Sequence, residues 1–301
     1  MESLPVITAV DGSDHSLKAL EWALKAARAR GTELLVVHVR TDHTKALPML
    51  GSVPLMPPSA EEEVPVLTDV RDLLAGREDL PPVRYETVNG SPAAELVELS
   101  TRAQLLVLGS RGRGGFASLL LGSVSRASTA RAACPVVVVP HTAGAEPDGP
   151  APVVLGLAPD ETSDVVMEFA FAEARRRGAA LRIVTTYPVP LSTLALAGGY
   201  GNGTDAVHAS EGPSIEADLR EAQSHRLRPF TQRYPEVPVE QVVAASDAAG
   251  RLVVAAQNAG LLVVGRHRRR LSADSLLLGS AANAVLLHAH CPVAVIPPRS
   301  A

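Results

Sequence analysis

Residues 107–140 read VLGSRGRGGFASLLLGSVSRASTARAACPVVVVP, and residues 263–297 read VVGRHRRRLSADSLLLGSAANAVLLHAHCPVAVIP. Both run from an apolar strand through a basic loop to a Gly-Ser pair. An alanine-rich helical stretch, a Cys-Pro step and a second apolar strand follow in each. The openings correspond as well, VITAVDGSDHS at 6–16 and VVLGLAPDETS at 153–163. A repeat distance of about 150 residues is several-fold longer than a solenoid unit and means two copies of one domain. A chain of 301 residues fits two domains, each able to bury its own core. The expected domains are 1–142 and 150–301, with the Gly-, Pro- and Ala-rich segment 141–151, HTAGAEPDGPA, as the linker between them.

Each copy alternates short β-branched runs with helical patterns. In the first, 4–10, 33–39, 83–88, 104–109 and 135–140 read as strands; in the second, 152–158, 180–187, 237–243, 261–265 and 292–297 do. Runs such as LLVVHV and VVVV are almost continuously apolar, as parallel strands covered on both faces require. The helical period through Leu17, Leu20, Ala23, Leu24 and Ala27 predicts a helix over 16–30, capped by Ser16 and closed by Gly31; Gly178 closes its counterpart. The fold class is therefore α/β, with two tandem doubly wound parallel sheets. Two long irregular stretches, 41–60 and 188–214, follow the second strand of each copy and are expected as loops near the ligand end.

Composition narrows the class. Hydrophobic residues make up 46% and aromatics only 3%, so Ala, Val and Leu must fill the cores. A net charge of −4 argues against broad electrostatic binding of nucleic acid or an anionic membrane. Residues 1–10 lack a basic segment followed by a long apolar run, and no window approaches 18 uninterrupted apolar residues, so a cytoplasmic location is expected. The two cysteines, Cys134 and Cys291, stand at matching places before a Pro and read as buried thiols rather than a disulfide.

In an open α/β sheet, ligands sit beyond the carboxyl ends of the strands where the strand order reverses. Two segments of the first copy should meet there: Val10-Asp11-Gly12-Ser13, and Gly109-Ser110-Arg111-Gly112 running on to Gly122-Ser123. Gly109 and Gly112 would let the backbone approach a ligand without an intervening Cβ. Gly122 and Ser123 precede a helical stretch whose N-terminus is a natural phosphate site, with Ser123 read as its cap. Asp11 offers a carboxylate to a ribose hydroxyl or to a phosphate-bound metal ion.

The spacing of Gly109, Gly112, Gly122 and Ser123, together with VDGSDHS at 10–16, resembles the nucleotide-binding signature of the universal stress protein family. The likeness covers nearly all of both copies and is similar to the tandem members. It implies a strand order of 3-2-1-4-5 in each domain and ATP, with Mg²⁺, as the ligand of the first. It further implies Asp11 for ribose or metal, Val39 for adenine, Gly109, Arg111 and Gly112 for the phosphate loop, and Gly122, Ser123 and Ser125 for phosphate oxygens. The fifth strands, 136–139 and 293–296, commonly pair subunits in that family, which implies a homo-oligomer or a pseudo-dimer within one chain. The implied role is a stress-response binding module, with a slow ATPase or phosphotransferase and a nucleotide-free dimerising factor as the alternatives.

The second copy departs from this pattern. Ala158 stands in the place of Asp11, Arg268 in the place of Gly112, and the loop from Gly265 to Gly279 is longer by one residue. Gly279 and Ser280 remain, beside the basic run 266–270, which reads either as a solvated loop or as an anion site. Other chemistries lack their residues. The GRGGFA run at 112–117 fits a loose dinucleotide pattern, but it follows the fourth strand and the next strand ends without an acid for a ribose. There is no GxxxxGK[ST] phosphate loop, no HExxH spacing among the nine histidines, and no Gly-x-Ser-x-Gly elbow.

Overall fold

A computed structural model of the chain describes residues 3–41, 64–113, 120–141, 150–188, 211–266 and 278–298. It divides into two compact units, Met1–His141 and Thr142–Ala301. Residues 42–60 of one expected loop and 189–210 of the other, residues 267–270 of the basic run and residues 142–149 of the linker lie outside the described residues.

The first unit runs β1 (Val6–Ala9), α1 (Asp14–Arg30), β2 (Leu34–Arg40), α2 (Pro65–Leu74), β3 (Val83–Asn89), α3 (Pro92–Leu99), β4 (Leu105–Gly109), α4 (Ser123–Arg131) and β5 (Val136–Val139). All its strands are parallel, in the order β3-β2-β1-β4-β5. Val6 stands opposite both Leu34 and Leu105, so β1 is central. Every residue of β4 and β5 is buried, which explains why neither shows the in-out alternation of a one-sided sheet. The order reverses between β1 and β4, and the crevice beyond their carboxyl ends is the switch point.

Helix α1 covers the sheet with Ala19, Leu20, Trp22, Ala23, Leu24, Ala26 and Ala27. It ends at Gly31, whose φ of 62° is the left-handed conformation that favours glycine. Its start differs from the expectation: Ser13, not Ser16, is the cap, accepting from the Ser16 N–H at 3.3 Å. Ser16 lies inside the first turn, and its hydroxyl donates back to the Ser13 carbonyl at 2.8 Å. The reason is the Asp11–Ser13 turn, which closes the strand early enough for helix to begin at Asp14. Likewise Gly122, not Ser123, holds the cap position of α4, with no side chain capping the helix.

The second unit repeats the order with β6 (Val153–Gly156), α5 (Asp164–Arg177), β7 (Leu181–Tyr187), α6 (Glu211–Arg233), β8 (Val239–Ala245), α7 (Ala248–Ala255), β9 (Leu261–Gly265), α8 (Ser280–His288) and β10 (Val293–Ile296). Its strands are parallel in the order β8-β7-β6-β9-β10. Helix already stands at 211–214, inside the stretch expected to be irregular. A stripe of Gln223, Leu227 and Phe230 turns α6 toward the core, where Phe171 stacks on Phe230 and on Tyr234 at 5.6 and 5.7 Å between ring centroids. Cys134 and Cys291 are both buried and form no disulfide, and burial pushes the Cys291 thiol up to about 12.

Candidate functional site

A cavity of about 590 Å³ opens at the switch point of the first unit. Asp11, Val39, Gly109, Arg111, Gly112, Gly122, Ser123 and Ser125 all line it. Four separated stretches of chain thus converge there: the end of β1, the end of β2, the turn after β4 and the first turn of α4.

Asp11 is held by the residues around it. Its Oδ1 accepts from the Ser13 N–H at 3.0 Å and the Ser13 hydroxyl at 2.6 Å, and its Oδ2 accepts from the Arg113 N–H at 2.9 Å. Burial pushes the Asp11 carboxyl up. The hydrogen bonds from the Ser13 side chain, the Arg113 and Ser13 backbones and Ser16 together outweigh it and hold the group below its ordinary value. The site therefore carries a fixed carboxylate at neutral pH. Arg113 is tied to the same turn, its guanidinium reaching the Gly12 carbonyl at 3.4 Å. Gly12 itself has a φ of 78°, which the tight Asp11–Ser13 turn requires.

The glycines divide by what a Cβ would meet. At Gly112 it would lie 2.4 Å from Asp11 Oδ2, so this glycine makes room for the carboxylate. At Gly109 it would lie 2.6 Å from the His15 carbonyl oxygen, so this cavity-lining glycine also makes room for the backbone of α1. At Gly122 the nearest atom would be 3.4 Å away, an ordinary contact. The Gly122 N–H donates to the Ser110 carbonyl at 2.7 Å, which draws the start of α4 to the end of β4. Ser125 strengthens that tie, its buried hydroxyl donating to the Gly109 carbonyl at 2.6 Å. The uncapped first turn of α4 thus faces the cavity with the positive end of the helix dipole.

Val39, near the carboxyl end of β2, supplies an apolar wall opposite the loop. Its neighbour His38 donates from Nδ1 to the Val10 carbonyl at 2.7 Å, since a carbonyl can only accept. Pro92 and Leu96 of α3 and Thr41 complete the apolar side. The sequence reading missed these three. The start of α3 at the carboxyl end of β3 was the available signal for Pro92 and Leu96.

The second unit differs at the equivalent place. Ala158 has no side-chain acceptor, and its N–H donates to Thr162 Oγ1 at 2.9 Å. Thr185 takes the part of His38, donating to the Leu157 carbonyl at 2.8 Å. Fully buried Gln223 donates to Thr185 Oγ1 at 2.9 Å and to the Ile183 carbonyl at 3.4 Å. Leu252 packs so close to β6 that a Cβ on Gly156 would lie 3.0 Å from it. Among the described residues no group of three or more His, Cys, Asp or Glu could hold a metal ion. No helix among them is long and apolar enough to cross a membrane.

Comparison with known proteins agrees with this architecture. Residues 4–140 and 151–297 each match the Universal stress protein family. Universal stress protein Rv2005c of Mycobacterium tuberculosis is 35% identical over 295 residues, covering 96% of both chains. Universal stress protein Rv1996 of the same organism is 30% identical, covering 97% of this chain and 95% of its own. A crystal structure of a universal stress protein from Archaeoglobus fulgidus superposes with a TM-score of 0.61 over 100% of both chains at 18% identity, a likeness of fold.

Proposed function

From a chain that belongs to the universal stress protein family in both of its halves, and so to a family with a role in the stress response, we infer a regulatory module that binds ATP in its first domain. One observation carries the reading. A fixed carboxylate, an apolar wall and an uncapped helix N-terminus share one cavity of about 590 Å³. Val39, Pro92 and Leu96 would take the adenine, Asp11 a ribose hydroxyl or a phosphate-bound Mg²⁺, and Arg111, Gly112, Gly122 and Ser123 the phosphates. Bound ATP would bring a polyphosphate whose charge offsets the basic loop.

Binding without turnover is favoured over hydrolysis by the lining itself. Phosphoryl transfer needs a group that positions or deprotonates the attacking water. Among the described residues Asp11 is the one carboxylate in the lining and no histidine lines it, and both Asp11 oxygens already accept hydrogen bonds. Mass spectrometry of the natively purified chain tests the reading: co-purifying ATP in preference to ADP supports it, and calorimetry with ATP and Mg²⁺ showing no heat of binding rejects it.

The apolar runs 136–139 and 293–296 further support association through the fifth strands, within one chain or between two. Residues 135 and 139 bond to β4 through their carbonyls, so in this parallel register the Val138 N–H faces away from β4. Val138→Pro removes that outward donor and should lengthen the particle seen by small-angle scattering, and an unchanged profile rejects that surface.

A further inference from the structure

Four residues outside the cavity lining gather behind the phosphate loop. His15, in the first turn of α1, places Nδ1 3.1 Å from the Ser110 hydroxyl oxygen. Its ring lies 4.6 Å from the ring of His141, centroid to centroid and tilted by 38°. Lys18 donates its ammonium to the His141 carbonyl. Ser110 is buried and anchored on both sides: its N–H donates to the Val139 carbonyl at 2.9 Å and its carbonyl accepts from the Gly122 N–H at 2.7 Å. Its side chain is the remaining hold on the residue that joins β4 to the loop, and His15 supplies it.

We propose that His15 is a positioning residue for the nucleotide loop, holding Ser110 in the free protein and taking up a proton when a polyphosphate binds in front of that loop. This rests on the nucleotide reading above and adds its regulation by pH. The groups that face the ring are Arg111 from the loop, His141 from the end of β5, Lys18 from the ring's own helix and Asp11 from the end of β1. Burial pushes the His15 pKa down first, Arg111, His141 and Lys18 push the same way, and among the described residues Asp11 opposes them. The ring is therefore neutral at pH 7 in the free protein. Polyphosphate charge at the loop offsets the cations and raises the ring's proton affinity. By linkage, a ligand that raises a pKa binds more tightly as pH falls through the window between the bound and free values, and its affinity is flat above and below that window.

Two measurements on the full chain test this. In the ligand-free protein, an NMR pH titration follows the His15 ring and the amides of Ser110 and Arg111. The expected result is one shared midpoint, below that of an ordinary histidine. The inflection should vanish from both amides in His15→Asn and move to higher pH in His141→Asn, which removes a like-charged neighbour. Loop amides that do not sense the His15 titration overturn the positioning role, whether or not nucleotide binds. Calorimetry with ATP near pH 6.5, in two buffers of different ionisation enthalpy, then reads the proton uptake. Uptake in the parent that is lost in His15→Asn is expected; binding without uptake, or equal uptake in the variant, overturns the coupling. Absence of ATP binding overturns the nucleotide reading and the coupling together, and the ligand-free titration alone then decides whether His15 positions Ser110.

Discussion

Gly112 and Asp11 are in mutual contact across the site: a Cβ on the glycine would stand 2.4 Å from the carboxylate oxygen that accepts the Arg113 N–H. Any larger residue at 112 must therefore displace the carboxylate or break that hydrogen bond. Gly112→Val should weaken ATP binding by more than tenfold, or about 1.4 kcal/mol, while the far-ultraviolet circular dichroism stays that of the parent. A folded variant with parental affinity in calorimetry would remove this loop from the site.

Asp11 ties the loop to the first strand through its charge, so its contribution should depend on pH. Its folded pKa is depressed below the ordinary carboxylate value. The stability it adds is thus fully present above the unfolded-state value and is lost as pH falls through the folded one. Asp11→Asn should be less stable than the parent at pH 7, and the gap should narrow with acidification below about pH 4. Urea denaturation of both proteins at pH 7 and at acid pH measures the gap; a constant difference would mean that the charge is not what holds the loop.

How far this could be read in advance depended on the range of each interaction. The duplication, the strand alternation and the convergence of Asp11 with the 109–125 segment follow from apolar runs and glycine spacing, which are local signals. The cap of α1 was misread because Asp11, Ser13, Asp14 and Ser16 all have capping chemistry. Only the turn at Gly12 selects Ser13. His15 carried no signal, since its partner Ser110 lies 95 residues away. Glycine spacing also leaves out a second demand on Gly109, since the atom that forbids a Cβ there belongs to the backbone of another element.

That demand separates two glycines of the same motif. A Cβ at Gly109 would lie 2.6 Å from a backbone oxygen that can move only if α1 moves. Gly109→Ala should cost about 1–3 kcal/mol of stability by overpacking. Gly122, with φ −70°, ψ 153° and no contact closer than 3.4 Å, accepts alanine without strain. Gly122→Ala should cost less than about 1 kcal/mol, the loss of a glycine at a helix N-cap position. Thermal melts of the two variants check this, and similar losses in both would contradict the geometry.

The two units should differ in binding. Ala158 supplies no carboxylate, and Leu252 closes on β6 where Gly156 leaves room. We expect one ATP per chain. Gly279→Val, at the cap position of α8, should leave both stoichiometry and affinity as in the parent. Two equivalent sites in a titration would give both units a nucleotide, and a single site lost in Gly279→Val but kept in Gly112→Val would assign it to the second unit.

Gln223 tests what holds α6 on the sheet of the second unit. It is fully buried, its amide donates to Thr185 Oγ1 and to the Ile183 carbonyl, and its Oε1 has no hydrogen-bond partner. A buried acceptor left unmatched costs about 1–3 kcal/mol, which offsets much of what the two donated bonds contribute. Thr185 keeps its own bond to the Leu157 carbonyl whatever stands at 223. Gln223→Met conserves the volume and removes the unmatched oxygen, so its stability should lie within about 1.5 kcal/mol of the parent, as volume-conserving core changes do. Gln223→Ala leaves a cavity under α6 and should cost about 2–5 kcal/mol, as large-to-small core changes do. Equilibrium denaturation decides between packing and hydrogen bonding as the residue's role. Equal losses in both variants would show that the amide, not the volume, holds α6 on the sheet.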